Sequence, residues 1–517
     1  MAYISLRKRE NGSTYAYEVE SYWCKKEKKP KSRQRYLGRL DDATGEIIPK
    51  RRSLAEKASD ESCSEPVTVV VKVVGPSLLL DAVDERTGMR SVLKRSFPRE
   101  WERLLSLSRY LTCRGEPLVY ADSWLRNHDA PLSEGLASQR ISELLGRMSD
   151  DSVQTFFKHW GEKIGPDECL CYDITSVSSY SEQNEYARYG HNRDGESLPQ
   201  INLGMLFGEK SGLPVTYRRL PGSVNDVSAL RKTLAHFEKL GFAKFHLVMD
   251  RGFCSAENVK AMCKAGYAFT IGLPSSLNLV KKTVDEVGET MQEPEGYRNV
   301  EGEVLYVHTK TLPAGEYGKR CRLHLYCNSH RAAIARDTFI EDLLRWKEEL
   351  ESGNRVEKNE KHYAKYFIVK ETPVRGLKVS YNGEAVKERG MSRCGFFAIL
   401  SSKEKDAEEA LAIYRRKDVV EKCFDDLKNS LDMKRLRMHG SKTMDSRLFL
   451  QFLSLIQTSE IRNVLKESGL DKKYTVREIL NEMESLTEVR HSHRYGVIRS
   501  ETTKAQREIL EAFGLQS

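Results

Sequence analysis

A chain of 517 residues exceeds what one hydrophobic core usually organises, so three or more folding units are expected. Hydrophobic residues make up 39% and charged ones 31%, an ordinary globular composition. Net charge is +9, and residues 1–60 hold 15 Lys/Arg against 9 Asp/Glu, so most of the surplus lies at the start of the chain.

The first 49 residues alternate in strand fashion (STYAYEVESYW) and end in the turn-rich DDATGEIIP. Their densest basic run, CKKEKKPKSRQRYLGR, is interleaved with Tyr22, Trp23 and Tyr36. Cations that release counterions from phosphates, beside rings that stack on bases, suit nucleic acid; a solvated charged face explains the run equally well. Residues 50–66 are poor in apolar residues and read as a linker. VTVVVKVVG and LLLDAV then read as strands, and GMRSVLKRSFP as a short extended piece. From Arg99 the period turns helical, in PREWERLLSLSRYLTC, LSEGLASQRISELLGRM and SDDSVQTFFKHWGEKI, with Ser149 and Asp150 or Asp151 suited to cap the third. Such a module suits either a helix-turn-helix or plain core packing.

Between Asp167 and Leu273 the pattern is β-β-β-α-β-α-β: ECLCYDITSVSS, INLGMLFGEK, LPVTYRRLPG, a helix capped at Asn225 or Asp226, FHLVMD, SAENVKAMCKAG and YAFTIGL. Three meandering strands followed by αβ units describe a ribonuclease H-like sheet, an α/β fold. Residues 274–394 read as a mixed, β-containing insertion with one highly charged helix, IARDTFIEDLLRWKEELESG. GFFAILSS resumes a buried strand, and LAIYRRKDVVEKCFDDLKNS reads as one helix.

Three acids stand out along this path. Alternation puts Asp173 on the strand face of Cys169, Cys171 and Thr175, where a buried carboxylate needs a cation, hydrogen bonds or a metal. Asp250 ends FHLVMD, and the carboxyl ends of sheet strands are where α/β proteins gather ligands. On the helix, Tyr414, Lys417, Glu421 and Lys428 fall within roughly 60° of one another at about 100° per residue. Beside them Ile413, Val420, Phe424, Leu427 and Leu431 form an apolar stripe. Taken singly, each acid has a plainer explanation: an arginine partner, a turn, or a surface Lys–Glu pair. Taken together, two strand aspartates and a helix glutamate suit divalent ions such as Mg2+, with Mn2+ as a substitute. Two such ions support in-line displacement at phosphorus, while Tyr414, Lys417 and Lys428 grip the backbone.

These residues resemble the DDE transposases of bacterial insertion sequences with a YREK signature, namely insertion-sequence family four and its longer sixteen-thirty-four-type relatives. CYDITSVSS, VMDRGFCS and YRRKDVVEKCFDDLK carry the likeness, supported by LPVTYRRLPGSVNDVSAL and the early YEVESYWCKKEKKPKSRQRYLGRLDDATGEIIP. Tyr414, Glu421 and Lys428 match the signature, and Lys417 stands where it has arginine, which keeps the charge but loses the two-pronged fork. The resemblance implies that Asp173, Asp250 and Glu421 form the catalytic metal-binding triad. It implies that Tyr414, Lys417 and Lys428 bind transposon-end DNA, and that a β-rich insertion precedes the glutamate. It also implies double-stranded terminal-repeat and target DNA as partners, brought together by a homodimer. Asp418 and Asp425 compete with Glu421 for the ligand role, and only the spacing to Lys428 selects it.

The expected divisions begin with a basic β-rich region and linker (1–66) and a strand pair with helices (67–165). A first core segment (166–273), the insertion (274–394), a second core segment (395–440) and a C-terminal helical region (441–517) follow. Arg435, Arg437 and His439 suit an extended DNA surface or a plain basic loop, and His491 and His493 read as solvated. Eleven scattered cysteines without a CxxC pair argue for reduced thiols and a cytoplasmic protein. MAYISLRKRE turns charged at once, and PVTVVVKVVGPSLLL is broken by Lys72 and Gly75-Pro76, so neither a signal peptide nor a membrane span is expected. No GxxxxGK[ST] run calls for a nucleotide cofactor. Two other functions fit less of the pattern: a non-catalytic DNA-binding relative, and a ribonuclease H-like nuclease that cuts without joining.

Overall fold

The computed structural model describes residues 2–9, 12–24, 29–41 and 44–49, and then 69–516 apart from 133, 166–167, 181–183, 191–194, 225, 242–244, 289, 373–375, 391–393, 432, 434, 437–439 and 492–496. The linker reading at 50–66, the Asn225 cap, and Arg437, His439 and His493 therefore fall outside the described residues. Two compact units emerge: residues 1–70 with 490–497, and residues 71–489 with 498–517.

The smaller unit is an antiparallel sheet in the order β1 (Ala2–Lys8), β2 (Thr14–Cys24), β3 (Lys29–Leu40) and β4 (Ile47–Pro49). Polar alternation makes the described sheet nearly coreless: of its described apolar side chains only Ala16 and Val19 are buried.

β5 (Val69–Val73) runs from the first unit into the second, and from there the sequence reading needs correction. LLLDAV lies in α1 (Gly75–Thr87) and GMRSVLKRS in α2 (Met89–Ser96); neither is extended. Pro76 occupies the first turn of α1, where its missing N–H costs nothing. Left-handed Gly88 ends that helix, and Leu79, Leu80 and Val83 are buried at helical spacing. Next come α3 (Trp101–Arg114), α4 (Ala121–Asn127), α5 (Ser138–Arg147) and α6 (Asp150–Ile164), the last preceded by Ser149 in extended conformation. α5 begins six residues later than the periodicity of LSEGLASQRISELLGRM suggests.

The large sheet has the order β11-β12-β13-β16-β10-β9-β6-β7-β8, with β17 (Arg435–Leu436) paired to β6. Its first half follows the β-β-β-α-β-α-β order read from the sequence. The elements are β6 (Cys169–Ser179), β7 (Gln200–Gly208), β8 (Pro214–Pro221), α7 (Asp226–Lys239), β9 (His246–Met249), α8 (Ala256–Ala265) and β10 (Ala268–Leu273). The protein is thus mixed α/β with one large mixed sheet. β11 (Tyr297–Val300), β12 (Glu303–Leu312) and β13 (Cys321–Cys327) extend this same sheet through β16 (Phe396–Ser401). Further along, α9 (Ser329–Glu351), α10 (Glu360–Tyr366), β14 (Phe367–Thr372), β15 (Gly376–Tyr381) and α11 (Gly383–Gly390) enclose a separate small core, around Phe339, Trp346 and Tyr366.

After β16 come α12 (Ala407–Arg415) and α13 (Asp418–Asp425), then a π turn over Asp426–Ser430, and the long buried α14 (Ser441–Ser468). α14 collects the helical module: Ser454 Oγ donates to the Ser108 carbonyl of α3 and Ser446 Oγ to the Leu145 carbonyl of α5. The chain closes with α15 (Val476–Met483), β18 (Thr487–His491), β19 (Val497–Arg499) and α16 (Lys504–Ala512). No described helix is long and apolar enough to cross a membrane.

Candidate active site

Strand register fixes the site's floor. β6 and β9 run parallel with Tyr172 opposite Met249, and β9 and β10 run parallel with Met249 opposite Ile271. The next residues, Asp173, Asp250 and Gly272, therefore form a row across three neighbouring strands about 4.8 Å apart. Asp173 is half-buried, and its Oδ1 accepts the Ile174 amide at 2.7 Å.

Two helices close over this row. The sequence suggests one helix through residues 411–430, but a turn at 416–417 divides it, and the π turn displaces Lys428 from an ideal helical stripe. The division has a cause. Arg415 pairs with Glu303 and, at 3.4 Å, with Glu301 of the β11–β12 hairpin, while Arg416 pairs with Glu209, whose side chain is only 1% exposed. Two adjacent arginines pulled to different regions of the sheet fix a bend between them and Lys417. The apolar stripe survives the bend: Ile413, Val420, Phe424, Leu427 and Leu431 are all buried.

Tyr414 reaches Asp250 across Gly272. Its hydroxyl donates to Asp250 Oδ1 at 2.8 Å, and a Cβ at Gly272 would lie 2.4 Å from that hydroxyl oxygen. An isolated glycine in an apolar strand is the sequence signal for such an approach; Gly272, in YAFTIGL, escaped the reading of the sequence. Lys417 Nζ lies 3.3 Å from Asp250 Oδ1 and 3.7 Å from Glu421 Oε1, distances that together cap the separation of those oxygens at 7.0 Å.

Burial opposes ionisation of Asp250, but Lys417, the Arg251 amide and the Tyr414 hydroxyl outweigh it and hold the carboxyl below the usual range. Burial, with Asp250 alongside, pushes the Tyr414 phenol far up, so it stays a proton donor. The structure thus gathers Asp250, Tyr414, Lys417 and Glu421, with Asp173 beside Asp250 on the neighbouring strand. Glu421 is mostly exposed, its side chain 67% accessible. Lys428 lies farther along, half-buried in the π turn. Of the rival acids, Asp425 accepts from Asn429 at 2.6 Å and Asp418 lines a cleft with Arg331, Arg415 and Arg416.

Among the described residues no three acidic, histidine or cysteine side chains stand ready around a single ion. The oxygen donors nevertheless fit hard divalent cations. Ions about 3.5–4 Å apart, each about 2.1 Å from its ligand, span up to about 8 Å. The cap of 7.0 Å between Asp250 and Glu421 lies inside that span, and an ammonium occupies the space between them.

The family model described as "Transposase DDE domain" matches residues 164–456, more than half of the chain. No curated protein matches. Seven chains of solved structures do. One belongs to a cryo-EM structure of a piggyBac transposase synaptic complex with hairpin DNA, at 11% identity and TM-score 0.33, covering 78% of this chain and 70% of that one.

Proposed function

This chain belongs to the DDE transposase domain family, and we propose that it cuts transposon ends by metal-dependent phosphodiester hydrolysis and joins the freed 3′-hydroxyl to target DNA. The carrying observation is that Tyr414 and Lys417 both reach Asp250, one strand from Asp173, while Lys417 also reaches Glu421. In this reading Asp173, Asp250 and Glu421 hold Mg2+, with Mn2+ able to substitute. Bound there, the ions would supply an activated oxygen nucleophile and charge stabilisation for the leaving oxygen.

The chain's own groups do the rest. Tyr414 fixes the Oδ1 side of Asp250 and so orients its carboxylate. Lys417 neutralises two carboxylates until the ions enter, and then turns to a DNA phosphate. Lys428 takes a further phosphate along the scissile strand. The spacing of Tyr414, Lys417, Glu421 and Lys428 supports membership of the YREK-signature group, with lysine in place of arginine, and the family's chemistry supports synapsis of two duplex ends by a homodimer.

A labelled terminal-repeat duplex, incubated with the protein and Mg2+ and supplied with target DNA, tests this. Nicking followed by joined product is expected, and Asp173→Asn, Asp250→Asn or Glu421→Gln should each abolish both while binding persists. The Lys417 ammonium between Asp250 and Glu421 favours one rival, a non-catalytic DNA-binding relative. It predicts binding without cleavage in either metal, and indifference to the three substitutions. Cleavage without joining would point to a nuclease.

A further inference from the structure

In the N-terminal sheet the register sorts side chains onto two unlike faces. Tyr17 lies opposite Tyr36 and Tyr15 opposite Arg39, so Tyr15, Tyr17 and Tyr36 share a face, with ring centroids 6.0 and 5.3 Å apart. The Arg7 and Arg9 guanidinium groups lie over the rings of Tyr17 and Tyr15 at 5.6 and 5.5 Å, so that face is occupied with its own contacts.

The other face carries a row of cations. β3 reads KPKSRQRYLGRL, and alternation sends Lys31, Arg33 and Arg35 to the face opposite the tyrosines, with Arg33 and Arg35 exposed. Successive cations on that row are about 6.8 Å apart, a spacing comparable with that of successive phosphates along a DNA strand. Glu20 and Glu18 lie opposite Arg33 and Arg35. Even so, Lys8, Lys29, Lys31, Arg33 and Arg35 against Glu18 and Glu20 leave this face positive.

Shape adds a second constraint. β1 ends its pairing at Glu20, and β4 meets β3 only at Gly38–Leu40. From Ser21–Cys24 paired with Lys29–Ser32, the part that carries Lys31, the sheet is therefore a two-stranded ribbon, narrow enough for the major groove of B-DNA, while Arg33 and Arg35 continue the row where β1 adds a third strand.

We propose that the β2–β3 ribbon is a duplex-DNA docking element in which Lys31, Arg33 and Arg35 track the phosphates of one strand. The proposal rests on the transposase reading only for its choice of DNA as the partner, and it uses none of the acidic-site residues. The test titrates full-length protein onto a labelled mixed-sequence duplex at increasing KCl. Neutralising three phosphate contacts should reduce the slope of log affinity against log salt by about 2.7 in the K31A/R33A/R35A variant.

R7Q/R39Q, on the tyrosine face, should leave the slope near wild type, and R33K/R35K should retain it. An unfolding curve that superimposes on wild type shows that the triple variant is folded. An unchanged slope in the triple variant overturns the proposal. So does an equal fall in R7Q/R39Q, which would mean bulk charge alone. Aggregation of the triple variant with its slope intact would mark the row as a guard on an open sheet edge and would also overturn it, as would a salt slope that depends on the row only with single-stranded DNA. Asp250→Asn should keep the full slope while losing cleavage; if instead cleavage survives, the active-site reading fails and the ribbon result stands.

Discussion

Tyr414 and Gly272 act as a pair: the glycine exists so that a phenol can reach an aspartate. Gly272→Ala would put a methyl group 2.4 Å from the Tyr414 oxygen and 3.2 Å from the Arg251 backbone nitrogen. Overpacking of this kind costs about 1–3 kcal/mol. Tyr414→Phe removes a hydrogen bond to a charged carboxylate, worth about 1.5 kcal/mol at the low end, and cleavage should slow roughly tenfold if that energy is felt in the transition state. Gly272→Ala should bind DNA as wild type does; equal cleavage rates in all three proteins would show that the Tyr414–Asp250 contact is idle. At this scale the sequence was informative wherever chemistry and spacing coincided. Asp250 ends a short apolar strand, and Glu421 follows Lys417 by one helical turn, so both could be singled out. Gly272 could not be, because what makes it necessary is a side chain 142 positions away in the chain.

Elements are held at both ends of the central strands. Opposite the acids, His246 of β9 contacts Thr270 Oγ1 through Nε2 at 2.9 Å and Cys169 Sγ through Nδ1 at 3.4 Å, with Glu404 Oε1 also 3.4 Å from Nδ1. This buried knot ties together the first residues of β6 and β9; Asp173 lies farther along β6, and Asp250 just beyond the end of β9. Burial holds His246 below the ordinary imidazole range, and the same cause lowers His236 and His324. A histidine kept neutral in the fold but free to protonate when unfolded takes up fewer protons in the native state. Stability is therefore lost as pH falls below about 6.5. Melting temperature should drop from pH 7.5 toward about 5.5, and His246→Gln should flatten that dependence; an unchanged slope in the variant would exonerate His246. The bend at residues 416–417 is a second element-scale device. Arg416→Ala leaves Glu209 buried and unpaired, and should cost about 3–5 kcal/mol, with cleavage lost faster than DNA binding. Neither the bend nor the helical character of α1 and α2 could be read locally. LLLDAV is apolar enough for a strand or a buried helix, and only packing against α14 decides; the bend depends on acids far away in the chain.

Across the whole molecule, the β-β-β-α-β-α-β order was legible because period-2 and period-3.6 patterns alternate cleanly between residues 169 and 273. That β11–β13 would join the same sheet was not, since strand neighbours over such distances are chosen by long-range pairing through β16. The helical module depends on one buried ion cluster: Arg109, almost wholly inaccessible, pairs with Asp84 at 2.6 Å and Asp81 at 2.7 Å. Arg109→Met should destabilise the protein by about 3 kcal/mol, because buried Asp84 would keep only the longer contact to Arg90 at 3.3 Å, and a calorimetric melt matching wild type would refute this. The trio reading itself is tested most directly by counting bound Mn2+, by electron paramagnetic resonance, on the full-length protein held on a terminal-repeat duplex. About two ions per chain are expected in wild type, with clear loss of binding in each of Asp173→Asn, Asp250→Asn and Glu421→Gln. Wild-type protein that binds no Mn2+, or three variants that bind it as wild type does, would contradict a shared metal site at these carboxylates.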